Sequence, residues 1–169
     1  MEAGFRAASE DDLPAIVDTY NKTIPSLMVT ADLEPVSVES RNDWFRSHDP
    51  GRRPLWVVET GGNYAGWISF RSFYGRPAYN GVAEVAIYLE PRYQGKGLGK
   101  ACLGKIISEA PALGIHTLLG FIFAHNEPSI KLFEKMGFQK WGHLPGIAEM
   151  KDKMRDLVIF GRKVAVNRH

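Results

Sequence analysis

Apolar positions along the chain follow two rhythms, and the switches between them mark its elements. Over 85–89, β-branched and aromatic residues run without a breaker, which predicts a largely buried strand that Pro91 ends. Leu98, Cys102, Ile106, Ala110 and Leu113 then recur at helical steps, so a helix follows and kinks or ends near Ala110, where Pro111 removes a backbone donor. Further strands are predicted over 5–8, 55–59, 64–70, 116–123, 139–144 and 156–164, the last two joined by a loop containing Met150 to Arg155. Gly61, Gly62 and Asn63 form a hairpin turn signal between the second and third strands.

Three more helical stretches fall between these strands. Leu13, Ile16, Val17 and Tyr20 share one face behind Ser9 and Asp12, which resemble a capping box, and this helix ends between Asn21 and Pro25. Val38, Arg41, Trp44 and Phe45 give helical spacing over 37–47, before the run Pro50-Gly-Arg-Arg-Pro54 stops it. Asn126 as N-cap, Pro128 in the first turn and Gly137 at the exit frame the last helix. Strand, helix and strand in the order 85–123 imply a right-handed parallel crossover. The stretch 24–35 reads as a loop with at most one helical turn, and 72–81 as a connection too apolar for an idle solvent loop.

A length of 169 residues suits one domain, 1–169, able to bury about two thirds of its unfolded surface. Hydrophobic content of 44% and charged content of 24% are those of an ordinary globular chain. A net charge of +2 does not argue for nucleic acid as a partner. No run approaches the length of a membrane span, the first residues carry no basic leader, and no His/Cys cluster has metal-ligand spacing, so a cytoplasmic protein without a metal is expected. Cys102, the single cysteine, falls on a helix's apolar stripe and reads as a small buried hydrophobe rather than a nucleophile.

Candidate chemistry gathers where the strand over 85–89 meets the helix. Gln94-Gly-Lys-Gly-Leu-Gly-Lys100 feeds glycine-rich backbone into a helix N-terminus, whose unpaired amides attract anions, and Arg92, Lys96, Lys100 and Lys105 add positive charge. A phosphate-bearing ligand is therefore expected. The dinucleotide fingerprint fails because Lys100 or Cys102 stands where its last glycine is needed, and a Walker loop fails at Gln94 and Ala101.

The remaining pattern, Q-x-x-G-x-G over 94–99, resembles the acetyl-CoA pyrophosphate loop of the GNAT N-acetyltransferase family. Asn126-Glu-Pro-Ser-Ile-Lys-Leu-Phe-Glu-Lys-Met-Gly-Phe138 resembles the family's second CoA-contacting segment, and the segments Thr19-Tyr-Asn21, 73–89, 137–147 and 155–160 are similar to its phosphinothricin acetyltransferase branch. The resemblance implies an α/β GNAT fold: a mixed, mostly antiparallel sheet of six to seven strands flanked by helices, with a splayed parallel pair holding CoA. It implies acetyl-CoA as donor, no metal, a homodimer, and a small amino-acid-like amine of the phosphinothricin or methionine sulfoximine type as acceptor. A CoA-binding sensor without catalysis and an acetyltransferase of protein N-termini are the competing functions.

By the same resemblance, backbone groups of Ile87, Tyr88 and Leu89 hold the pantetheine arm. Gln94, Gly95, Lys96, Gly97, Leu98, Gly99 and Lys100 hold the pyrophosphate, and Asn126 both caps its helix and touches CoA. Glu84, an acidic residue inside an apolar run, is the candidate general base, since partial desolvation raises a carboxylate's pKa. A salt-bridged or edge-exposed glutamate is the alternative. Phe133 stands where many family members carry a tyrosine that protonates the leaving thiolate and where this branch has histidine, and phenylalanine cannot donate a proton. Tyr74, Arg76 and Tyr79 are acceptor-binding candidates, although the branch has arginine where this chain has Tyr74. Arg76 reads equally as a surface residue, the stretch 24–35 either as substrate-facing or as a connector, and Trp67 and Trp141 either as core or as interface.

Overall fold

Seven strands hydrogen-bond into one sheet in the order β1-β2-β3-β4-β5-β7-β6. They are β1 (Gly4–Ala7), β2 (Leu55–Thr60), β3 (Asn63–Ser72), β4 (Val82–Leu89), β5 (Thr117–Phe123), β6 (Gln139–Glu149) and β7 (Met154–Lys163). A computed structural model describes residues 2–165. Four helices flank the sheet: α1 (Leu13–Thr23), α2 (Asn42–Arg46), α3 (Leu98–Glu109) and α4 (Glu127–Lys135). Every neighbouring pair is antiparallel except β4 with β5.

Alternation along the strands divides the apolar residues between two layers, because successive side chains point to opposite faces. Ile68, Phe70, Val85 and Ile87 pack with Leu98, Cys102 and Ile106 of α3 and Phe133 of α4. Trp67, Ala86 and Tyr88 lie on the other face with Ile16 and Tyr20 of α1 and Trp44 of α2. The cross-strand partners Trp67↔Tyr88, Ser69↔Ala86 and Arg71↔Glu84 follow one another at steps of two, which puts Arg71 and Glu84 on this second face. Cys102 is fully buried, and burial pushes its thiol up to about 12, as a structural rather than a nucleophilic cysteine requires.

β7 starts at Met154, so Met154 and Arg155 are strand and not part of the expected loop, and three further elements differ from the sequence expectation, each for a local reason. Only Asn42–Arg46 of the stretch 37–47 is α-helical, after a 3-10 turn at Glu39–Arg41. The Ser40 hydroxyl donates to the Ser37 carbonyl at 2.7 Å, a local bond that competes with a longer helix. β6 runs on through Pro145 to Glu149; it is an edge strand with a register shift between Leu144 and Ala148, where a missing N–H costs little. β4 begins at Val82, because residues 82–84 pair with 117–119 of β5. Helix α3 does end at Glu109, with Pro111 opening a separate 3-10 turn.

The parallel ladder is short. β4 and β5 share only three register pairs, Val82↔Thr117, Ala83↔Leu118 and Glu84↔Leu119. Beyond it, residues 85–89 of β4 stay paired with β3, while residues 120–123 of β5 stay paired with β7. The sheet opens into a fork whose apex is Glu84.

Candidate functional site

One edge of β4 from Val85 to Leu89 faces the fork without a strand partner, so its backbone polar groups can serve a ligand. Ile87, Tyr88 and Leu89 lie on this stretch. The Leu89 carbonyl accepts from the Gln94 side chain at 3.3 Å, so Gln94 anchors the loop to the strand end.

The loop through Gly95 and Lys96 leads directly into α3, whose N-cap is Gly97 with φ 82° and whose first turn holds Leu98, Gly99 and Lys100. Gly95 has φ 71°, and a Cβ at either position would meet no heavy atom within 4 Å. Glycine is thus needed for backbone conformation and not for packing, and open space lies before the amides. At Gly99 a Cβ would stand 3.2 Å from Leu132 of α4, so this third glycine lets two helices approach. Leu98 is buried in the core, and the exposed Lys96 and Lys100 flank the helix start. Lys105 departs from expectation: it pairs with Glu109 at 2.8 Å and sits over the rings of Phe5 and Trp56, which ties it to α3 and β1–β2. Open amides, a helix N-terminus and two mobile lysines fit a pyrophosphate, and the unpaired edge of β4 fits the amide-bearing arm of a CoA thioester.

Glu84 is half-buried at the apex, and burial raises its carboxyl above the usual glutamate range, with Arg71 opposing that rise. No ion pair engages it among the described residues, so the salt-bridged alternative fails. His48, just after α2, lies on the same sheet face. Its Nδ1 donates to the Trp44 carbonyl at 2.9 Å, leaving Nε2 to accept the Ser69 hydroxyl at 2.7 Å. Burial lowers its pKa, which keeps the ring neutral.

The stretch 24–35 holds one 3-10 turn, Ile24–Ser26, and is then fastened by side chains from flanking elements, of which the sequence pattern placed Tyr20 and Arg41 only on helical faces. The Tyr20 hydroxyl bonds to both Thr30 and Asp32, and Arg41 reaches Asp32 at 2.8 Å while covering the Tyr20 ring. Tyr20 in turn packs on Tyr88, which stacks on Trp67 with ring centroids 4.6 Å apart. Burial pushes the Tyr88 hydroxyl well above its ordinary range, so it stays protonated. Trp67 is core, with Nε1 donating to the Ile16 carbonyl at 3.1 Å. Spacing alone could not reveal this network, whose members come from α1, the stretch 24–35, the 3-10 turn before α2, β3 and β4.

Asn126 caps α4, its Oδ1 accepting from Ser129 N–H at 3.4 Å, and its Nδ2 donates to the Met28 carbonyl at 3.3 Å. With His125 Nε2 donating to the Leu27 carbonyl at 2.9 Å, it fixes the stretch 27–28 against the head of α4. Phe133 is buried against Phe138, and a Cβ at Gly120 would come within 2.5 Å of its ring. Phe133 is therefore a core wedge between α4 and β5.

Tyr74, Arg76 and Tyr79 sit together on the connection between β3 and β4 but project away from the core. The ring of Phe73 meets those of Tyr74 and Tyr79 edge to face, with Tyr74 79% exposed. Trp141 is 46% exposed on β6 and covers Gly161 of β7. No group of three metal-ligating side chains occurs, and no helix is long and apolar enough to cross a membrane, among the described residues.

The profile of the Acetyltransferase (GNAT) family matches residues 15–138. The chain is 55% identical to YwnH of Bacillus subtilis (strain 168), provisionally named a phosphinothricin acetyltransferase, over 95% of this chain and 99% of that one. It is 28% identical to the L-methionine sulfoximine/L-methionine sulfone acetyltransferase of Pseudomonas aeruginosa, covering 93% of this chain and 92% of that one. The crystal structure of a GNAT superfamily phosphinothricin acetyltransferase from Sinorhizobium meliloti in complex with AcCoA superposes with a TM-score of 0.91, at 26% identity over 98% of this chain and 90% of that one.

Proposed function

The chain belongs to the acetyltransferase (GNAT) family, and from that premise we propose that it moves the acetyl group of acetyl-CoA to the amine of a small amino-acid-like acceptor. The observation that carries this reading is the fork, with a half-buried carboxylate at its apex and a glycine-led helix N-terminus at its mouth. Relatives named for acting on methionine sulfoximine, methionine sulfone and phosphinothricin support the acceptor class.

In this reading acetyl-CoA supplies an activated acyl carbon. Gly95 to Lys100 hold its pyrophosphate on their amides, Lys96 and Lys100 offset its charge, and the free edge of β4 at Ile87, Tyr88 and Leu89 aligns the arm. Leu98 anchors that loop in the core, and Asn126 adds its remaining N–H. Glu84 takes the proton that the amine loses as its nitrogen bonds to the acyl carbon and the carbon–sulfur bond breaks. The sulfur leaves as thiolate, since Phe133 has no proton to give; a thiol pKa of about 8.5 makes that step feasible near neutrality. Tyr74, Arg76 and Tyr79 line the approach from outside.

The test is thiol release from acetyl-CoA across a panel of amino acids, polyamines and peptides. Release with small amino acids supports the reading; release with peptides alone gives the protein N-terminal reading, and none at all leaves a CoA-binding module.

We further infer one catalytic domain, working in the cytoplasm where acetyl-CoA is made and used, and paired as a homodimer. Trp141, Leu144, Ile147 and Met154 are exposed along the β6–β7 hairpin, an apolar edge suited to a second copy. Sedimentation should give the mass of two chains, and Trp141→Lys should shift it toward one; a wild-type monomer at micromolar concentration would refute the pairing.

A further inference from the structure

Arg71 is an exposed cation without an assigned task. It ends the run Trp67, Ser69, Arg71 on the face of β3 that carries the apex of the fork, and its cross-strand partner is Glu84. Residues so paired have their Cβ atoms about 5 Å apart on the same face. Yet no ion pair or hydrogen bond joins the two side chains, and the Arg71 guanidinium has no such partner among the described residues. Its charge nevertheless reaches both Glu84 and His48, lowering the pKa of each. An exposed guanidinium and a half-buried carboxylate thus stand side by side on one face of the sheet with opposite charges and no bond between them.

An α-amino acid has the complementary arrangement. Its nitrogen and its carboxylate branch from one carbon, within about 3 Å of each other, so a single molecule can present both groups to a cross-strand pair. The fork of a guanidinium matches a carboxylate with two parallel hydrogen bonds. We propose that Arg71 binds the acceptor's α-carboxylate, so that the pair Arg71 and Glu84 reads the zwitterionic head of an α-amino acid and sets its amine beside the base. The specificity-determining cation is then on the strand, three residues before Tyr74 and five before Arg76 of the connecting loop. This rests on the amino-acid acceptor reading and narrows it to acceptors that carry a free α-carboxylate.

The experiment uses the full chain, with L-methionine sulfone, phosphinothricin and leucine, each against its α-carboxamide. Wild type should favour each accepted acid over its amide, in kcat/KM, by about tenfold to a hundredfold, the range of a charge-assisted bidentate contact. Arg71→Gln should erase that preference mainly through KM, and Arg71→Lys should restore part of it, since lysine keeps the charge but loses the fork. Arg71 is exposed and unpaired, so the variants should melt with the wild type. Calorimetric binding of the best acid to the enzyme loaded with free CoA should weaken by the same factor in Arg71→Gln, a readout independent of turnover. Two failures are distinguishable. If wild type acetylates none of the acids, the acceptor reading falls and this assignment with it; if wild type prefers acids and Arg71→Gln keeps the preference, only Arg71 is removed.

Discussion

Glu84→Gln should lower kcat by about a hundredfold or more, while leaving the affinity for CoA nearly unchanged, because a general base commonly contributes 10²–10⁴-fold. The glutamate stands at the last register pair of the parallel ladder, where the strands part, and burial holds its carboxyl above the usual range. For wild type, activity requires the ionised form, so kcat/KM should rise with pH through that elevated pKa and then level off. The charged or titratable groups facing it are Arg71 from β3 and, beside Ser69, the neutral His48 from the end of α2; β5 contributes Leu119. Phe133 adds no alkaline limb.

Stability should move the other way. Where the folded pKa lies above the unfolded one, the folded state binds the proton more tightly, so stability falls as pH rises between the two values. At neutral pH the ionised Glu84 therefore costs stability, and glutamine removes that cost. The variant should melt at or above the wild-type temperature while turning over far more slowly. A rate within a few-fold of wild type at every pH would take Glu84 out of the mechanism, and a lower melting temperature would make it a structural residue.

Gly97→Asp should weaken acetyl-CoA by about a hundredfold or more in calorimetry, a change worth about 3 kcal/mol. Two effects combine. A side chain at φ 82° imposes left-handed backbone on a residue that disfavours it, at about 1–2 kcal/mol. A carboxylate in the cradle also repels the pyrophosphate. Gly97→Ala carries the first effect alone and should lose about tenfold, and only the aspartate variant should recover part of its affinity as salt screens the repulsion. Because a Cβ here would touch no protein atom, neither change disturbs packing. Unaltered affinity in both would refute the loop's role.

Much of this protein is legible locally. The hairpin at Gly61 and Gly62, the stop of α3 before Pro111, the Asn126 cap and the glycine loop are each decided within a few residues, by positive φ, a missing donor or a side-chain cap. The position of Glu84 inside an apolar run, and the glycine-led helix start at 95–100, need nothing from the rest of the chain. The fork is different. By their pattern residues 85–89 read as an ordinary buried strand, and the splayed pair is implied only by the family resemblance; physically, the pairing of β4 with β3 and of β5 with β7 decides that the parallel ladder stops after three residues.

Register across long connections is likewise tertiary. Nine residues separate β3 from β4, too many for a turn to dictate the pairing, so the facing of Arg71 and Glu84 cannot be read from spacing. The same holds for His48 on Ser69 and for the Tyr20, Asp32 and Arg41 network. Sequence by itself determined which segments become strands, helices and a glycine-led helix start, because those choices depend on neighbours a few positions away. Which charges meet at the apex of the fork was decided only when packing two layers against one sheet fixed the alignment of distant strands.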